Sequence, residues 1–250
     1  MKLNVHFSPA QTDELYFSGK TSVVIDVLRA TTTIVTALFN GAREVIPVNS
    51  IEFAMKVSGN AFGGQTLLGG ERNTKKIEGF QLGNSPFEYS HEVVAGKSII
   101  LFTTNGSKAI VRAKFSENLY ICSFQNIQSI AQHLAELNKD VEIICSGRNG
   151  SFCIDDTVCA GKLVSEIQKL KEDVELTDSS KASVVLSKSY GKSLQKVLTE
   201  CEHGKLLIEN GFEQDISYCA KAGGMEIIPF FTGGMIKILN KPSITNFKAN

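Results

Sequence analysis

Short apolar, largely β-branched runs recur along the first part of the chain: LNVHF, SVVIDV, EVIPV, TLLGG, SIILFT, LYICS and EIICS. Each is almost continuously apolar, which is the pattern of a strand covered on both faces. Between them, TTTIVTALFNG, SIEFAMKVSG, SPFEYSHEVVAG, GSKAIVRAKF and NIQSIAQHLAELN place apolar residues three and four apart, the period of a helix packed on one side. Gly41, Gly59 and Gly96 close three of these periods where a left-handed cap is wanted. Ser85-Pro86-Phe87-Glu88 sets a capping serine, a proline at the first helical position and a glutamate at the third, and so predicts a helix start. Alternation of this kind predicts an α/β fold, with helices on both faces of a largely parallel sheet.

The pattern changes after Asp155. Residues 156–221 read as one long helical stretch, and the strands MEIIPFF and MIKIL, joined by TGG, predict a hairpin at a sheet edge. No Pro/Gly-rich linker interrupts the chain, so residues 1–250 are expected to form a single integrated domain. LFTTNGSKAI and ICSGRNGSFCI echo one another as strand, polar turn, Asn-Gly, Ser and helix. The echo reflects either two duplicated halves meeting near residue 120 or two similar strand-to-helix turns, with the second preferred.

Composition narrows the function classes. Of 250 residues, 42% are hydrophobic and 21% charged, enough for a sizeable core. The 26 basic and 26 acidic side chains cancel, removing the long-range field on which nucleic-acid binding relies. No apolar run reaches the roughly 18 residues of a membrane span, and MKLNVHFSPA lacks the apolar core of an export signal, so a cytoplasmic location is expected. The six cysteines contain no C-x-x-C pair and sit mostly in apolar stretches, where reduced cysteine acts as a small hydrophobe.

Ligands of open parallel sheets bind beyond the carboxyl ends of the strands, and this chain repeatedly places polar residues there. Asp26, Arg29 and Thr31-Thr32-Thr33 follow SVVIDV; Glu71, Arg72 and Asn73 follow TLLGG. Thr103 to Ser107 follow SIILF, and Ser146 to Gly150, then Asp155-Asp156, follow EIICS. Carboxylates supply hard oxygen ligands for Mg²⁺, arginines supply planar forks for phosphate, sulfonate or carboxylate, and helix starts favour anions. Together they suggest a divalent cation and a polyanionic small molecule. Each residue also has a plainer role: Asp26 as a turn cap, Glu71-Arg72 as a surface pair, Asn105-Gly106 and Asn149-Gly150 as turns, Asp155-Asp156 as helix-dipole partners, and His203 as a helix-end residue. Several phosphate chemistries are absent by spacing. There is no G-x-x-x-x-G-K-[ST] loop, no Gly-rich dinucleotide fingerprint, no Cys with Arg six positions on, and no G-x-S-x-G elbow. Leu28 stands where an aspartyl-phosphate phosphatase of the haloacid dehalogenase type would carry its second Asp.

The blocks VVIDVLRATTTIVTALFNGAREVIPV, LLGGERNTKKIEGFQLGNSP, LFTTNGSKAI, SGRNGSFCIDDTVCAG, CEHGKLL and GFEQDISYCA resemble, in order, the motifs of the 2-phosphosulfolactate phosphatase family, over about residues 21 to 220. The resemblance implies a three-layer α/β/α sandwich and Mg²⁺-dependent hydrolysis of 2-phosphosulfolactate to sulfolactate and phosphate, on a route to coenzyme M. It places the acidic metal set on Asp26, Glu71, Asp155 and Asp156. Arg29, Arg72, Asn84, Asn105 and Asn149 fall inside the matching blocks. The expected catalytic residues are Asp26, Arg29 and Asp156, the last orienting the attacking water. Arg29, Thr31, Thr32, Arg72, Asn84, Thr104, Asn105, Gly106, Asn149 and Gly150 are expected around the substrate. The alternatives are a hydrolase of other phosphorylated 2-hydroxy carboxylates and a non-catalytic anion binder. A small phosphorylated, sulfonated hydroxy acid is the expected partner, and a homodimer is left open.

Overall fold

The computed structural model describes residues 1–10, 12–60 and 65–239. The apolar runs form strands β1 (Lys2–His6), β2 (Thr21–Ile25), β3 (Glu44–Val48), β4 (Thr66–Arg72), β6 (Ser98–Phe102), β7 (Asn118–Cys122) and β8 (Val141–Cys145). Two-residue strands β5 (Lys75–Lys76) and β9 (Glu175–Leu176) and the pair β10 (Pro229–Thr232) and β11 (Met235–Ile238) complete the sheet. Its order is β5-β4-β6-β3-β11-β10-β7-β2-β8-β1-β9. Within it β4-β6-β3 and β7-β2-β8-β1-β9 are parallel, as expected.

The hairpin is not at an edge. β10 and β11 lie in the middle of the sheet, antiparallel to both halves, and join them through Phe230–Tyr120 on one side and Ile236–Val45 on the other. Ile236 is fully buried and Phe230 packs on Tyr120 with ring centroids 5.4 Å apart. Burial against both halves outweighs the edge preference that a late, short hairpin suggests.

The helices are α1 (Ala30–Phe39), α2 (Ile51–Asn60), α3 (His91–Val94), α4 (Gly106–Arg112), α5 (Ile127–Leu137), α6 (Ile154–Leu170), α7 (Asp178–Tyr190), α8 (Leu194–Glu200), α9 (Glu202–Glu209) and α10 (Glu213–Cys219). Gly41 (φ 90°) and Gly96 (φ 72°) are left-handed as expected, whereas α2 runs past Gly59 to Asn60. Ser85-Pro86 starts only a single 3₁₀ turn, Pro86–Glu88. The would-be capping groups are spent elsewhere, since the Ser85 hydroxyl donates to Asp215 at 2.7 Å and Glu88 accepts from the Gly83 N–H at 2.8 Å. The long helical stretch is broken at β9, which pairs with β1.

Strand residues alternate between two cores. Val23, Ile25, Tyr120, Cys122, Ile143 and Cys145 pack with α5 to α10. Val24, Val45, Ile99, Leu101, Ile121, Ile144 and Ile236 face the other way and enclose buried residues of α1 and α4. A third cluster sets α2 against the outside of β3, β4 and β6. Helices therefore cover both faces in an α/β/α arrangement, with strands from both halves of the sheet wrapped about α1 and α4. All six cysteines are free, five of them buried. Among the described residues no helix is long and apolar enough to cross a membrane.

On the solvent side of β8, Glu142 gathers His6 Nε2 at 2.6 Å, Asn4 Nδ2 at 2.7 Å and Lys20 Nζ at 3.1 Å. Burial pushes its carboxyl up, but the bonds from His6, Asn4 and Lys20 outweigh this and hold it at about 2, against an ordinary value of 4.5. A depressed carboxyl contributes stability that is fully present above its unfolded value and is lost as pH falls toward the folded one. Glu142→Gln should cost about 1–2 kcal/mol at pH 7, with the deficit closing between pH 4.5 and about 2. Denaturant titrations across that range check this; a deficit independent of pH would contradict it.

Candidate active site

Residues from both halves of the sheet line one cavity of about 260 Å³: Asp26 and Arg29 after β2, Glu71 at the end of β4, Asn73 and Thr74 in the turn after it, Asn84, Thr103 to Asn105 after β6, Arg148 and Asn149 after β8, and His203 and Leu206 of α9. β2 and β4 are six places apart in the strand order. A flat sheet would hold them roughly 29 Å apart. Only the wrapping of the sheet around α1 and α4 brings their carboxyl ends together.

Asp26 is buried at the turn into α1 and accepts the Ala30 N–H at 3.1 Å. Close packing of α4 against it requires glycine: a Cβ on Gly106 would strike Asp26 Oδ2 and the Ala30 methyl. Burial pushes the Asp26 carboxyl up to about 6; His203, the Ser146 hydroxyl and the Ala30 N–H oppose the rise and Asp155 adds to it. Asp156 is raised well above the usual carboxylate range, first by burial and then by Asp155 and Asp26. Buried carboxylates thus crowd one side of the site.

Glu71 accepts from Thr104 N at 2.7 Å and Thr74 N at 2.8 Å, tying the β4 turn to the turn after β6. Asn73 and Thr74 both lie at positive φ (53° and 68°), the requirement of a tight type I′ hairpin turn. A β-branched residue there is strained. The conformation is held by Glu71 at the Thr74 N–H and by Arg29, whose Nη2 donates to the Thr74 carbonyl at 2.9 Å.

Arg29 is the organiser of this wall. It is buried, its Nη1 donates to Asp215 Oδ2 at 2.6 Å, and its guanidinium stacks 4.1 Å from the Phe212 ring centroid. The other Asp215 oxygen accepts from Ser85. Asp215 stands in no position that the pattern of polar residues after the strands singles out. Its signal is a carboxylate among the buried Ile216 and Cys219 on one face of α10. His203, read as a helix-end residue, also reaches the cavity, with Nδ1 3.8 Å from Asp155 Oδ2.

Of the residues singled out in the sequence, Asp26, Arg29, Glu71, Asn84, Thr104, Asn105 and Asn149 line this one cavity. Thr31 and Thr32 do not line the cavity: both are fully buried and spend their hydroxyls on the Asp26 and Val27 carbonyls, holding the turn that presents Asp26. Arg72 is exposed and pairs with Lys75 on the β4–β5 hairpin. Gly106 acts by its lack of a side chain, and Gly150 (φ 79°) shapes an adjoining hollow. Asp155 and Asp156 are buried and do not line the cavity. Both Asp156 oxygens are occupied, by the Val27 N–H at 2.8 Å and by the Ser146 hydroxyl and Gly147 N–H at 3.0 and 3.1 Å. Among the described residues no group of three or more His, Cys, Asp or Glu side chains is arranged to hold a metal alone, so the four-carboxylate set does not form one ligand cluster.

The lining has unspent polar capacity. Asn84 Oδ1, Thr74 Oγ1 and Thr104 Oγ1 are buried without a hydrogen-bond partner, as is Asp155 Oδ1 behind His203. Unpaired buried polar atoms are costly, and their concentration here marks a site shaped for a polar ligand.

A family model described as 2-phosphosulpholactate phosphatase matches residues 6–234. The chain belongs to this phosphatase family. It is 39% identical over 239 residues to a probable 2-phosphosulfolactate phosphatase of Clostridium perfringens, covering 95% of this chain and 96% of the relative. A protein of the same description from Caldanaerobacter subterraneus is 42% identical over 218 residues, covering 87% and 90%. One from Symbiobacterium thermophilum is 40% identical over 235 residues, covering 94% and 99%.

Breaking a buried ion pair from one side leaves the other charge uncompensated. Asp215→Ala should therefore destabilise the protein by about 3–5 kcal/mol and lower phosphatase kcat/KM, because Arg29 loses its orientation. Unfolding titrations and kinetics check both, and an unchanged kcat/KM would remove Asp215 from the support of the site.

Proposed function

We propose that this protein hydrolyses 2-phosphosulfolactate to sulfolactate and phosphate with the aid of Mg²⁺. The observation that carries the reading is the meeting of Asp26 and Glu71 with Arg29, Arg148 and His203 around one cavity whose Asn84, Thr74 and Thr104 oxygens are unpaired. The donor set suits Mg²⁺, which takes one or two carboxylates, keeps water and completes its octahedron with substrate phosphate. It would be held by Asp26 and Glu71, where crowded buried carboxylates favour a cation. Bound there, the ion would neutralise phosphate charge and polarise the phosphorus–oxygen bonds.

The chain's own residues do the rest. Arg29, locked by Asp215 and Phe212, presents its remaining N–H groups to an anionic oxygen with little entropy left to lose. The Thr74 and Thr104 hydroxyls donate further bonds to oxygens of the bound ester. Water attacks phosphorus in line with the ester oxygen, the phosphorus–ester bond breaks, His203 hands a proton to the departing alkoxide, and a proton of the added water, carried on the released phosphate, returns to His203. Asp155, beside His203, orients its ring. Asp156 holds the turns after β2 and β8 instead of orienting water. The reaction would run in the cytoplasm and feed a route to coenzyme M.

Phosphate release from 2-phosphosulfolactate should be abolished by EDTA and restored by Mg²⁺. Activity unaffected by EDTA would remove the metal, and no release with Mg²⁺ present would remove the substrate. His203→Gln should lower kcat by about 10²–10⁴-fold with KM changed only a few-fold; a variant with wild-type kcat would show that the proton comes from elsewhere.

A further inference from the structure

The cavity has two arginines, and they are differently committed. Arg29 is charge-matched by buried Asp215. Arg148 lines the same cavity, and among the described residues its only ion partner is Glu202, at 3.9 Å with a 93% exposed side chain. A contact that long to a solvated carboxylate holds little energy.

The backbone of Arg148 is fixed on every side. Its N–H donates to the Ser151 carbonyl at 3.0 Å and its carbonyl accepts from the Ser151 N–H at 2.9 Å. The preceding Gly147 N–H is held by Asp156, and the following Asn149 N–H donates to Asn105 Oδ1 at 3.1 Å. Gly147 sits at φ 63° with the Ser151 carbonyl pressed where a Cβ would be. A strained, pinned loop thus carries a cation at the cavity wall with no buried counter-charge. Such pre-organisation lowers the cost of binding an anion.

We propose that Arg148 reads the second acidic group of the substrate, the sulfonate of a phosphorylated sulfonated hydroxy acid, and that Glu202 is the weak partner which this group displaces. The proposal rests on the phosphatase reading above. A guanidinium fork matches the oxygens of a tetrahedral sulfonate as it does those of phosphate. Arg29, which follows the neighbouring strand β2 and is held by Asp215, is left with Asp26 and with Glu71 of the other half-sheet for the phosphoryl end.

The test compares 2-phosphosulfolactate with 2-phospholactate, which keeps the phosphate and carboxylate but has a methyl group in place of the sulfonate arm. Arg148→Gln should raise KM for the sulfonated ester about tenfold or more, with kcat within about threefold, and at least five times more than it raises KM for phospholactate. Arg148→Lys, which keeps the charge and loses the fork, should fall between. Glu202→Gln, at an exposed position, should change KM for either ester by no more than about twofold, because the contact it removes is weak. Equal effects of Arg148→Gln on both esters, or a Glu202→Gln variant whose KM for the sulfonated ester rises severalfold, would overturn the assignment while leaving the phosphatase reading intact. Wild-type protein that releases phosphate from neither ester in Mg²⁺ would overturn both.

Discussion

The antiparallel hairpin β10–β11 joins two parallel half-sheets that, among the described residues, otherwise share no strand pair. Each seam is narrow, Phe230 on Tyr120 and Ile236 on Val45. Ile236 packs into the same core as α1 and α4, so the joint is supported by apolar burial as well as by backbone bonding. The curvature it permits turns the carboxyl ends of β4 and β6 toward those of β2 and β8. Glu71 and Asp26 meet across one cavity for that reason.

Several groups that resemble catalytic residues instead build the frame for those that face the ligand. Thr31 and Thr32 fasten the turn that carries Asp26, and Asp156 clamps the turns after β2 and β8. Asp215 and Ser85 orient Arg29, and Glu71 ties two turns together while still lining the cavity. Polar residues of this supporting kind hold geometry within the tolerance that phosphoryl transfer needs, since positioning and electrostatics carry most of that chemistry. Burial first, and Asp155 second, raises the carboxyls of both Asp26 and Asp156.

Much of the scaffold was legible in the residues. Near-continuous apolarity marked the seven main strands, because a strand buried on both faces has no polar alternation to offer. The recurrence of charged and amide residues after those strands marked the rim that holds the site. Legibility failed where one side chain had two suitors. Ser85 and Glu88 carry the signature of a helix start, but Asp215 and the Gly83 N–H take their polar groups, and only a 3₁₀ turn forms. Arg72 was expected beside the substrate and Arg148 was not, yet Arg72 is exposed and Arg148 lines the cavity.

The chain alone determined its class of fold, its parallel strands, the family blocks and the kinds of chemistry available, because these depend on local periodicity and residue type. Tertiary structure alone decided that the last hairpin sits centrally, that Asp215 pins Arg29, that His203 lines the cavity, and that both Asp156 oxygens are taken by neighbouring turns. Those outcomes depend on contacts between residues as much as 186 positions apart, as in the Arg29–Asp215 pair. No local pattern encodes which of several distant polar groups will claim a given donor when the layers close.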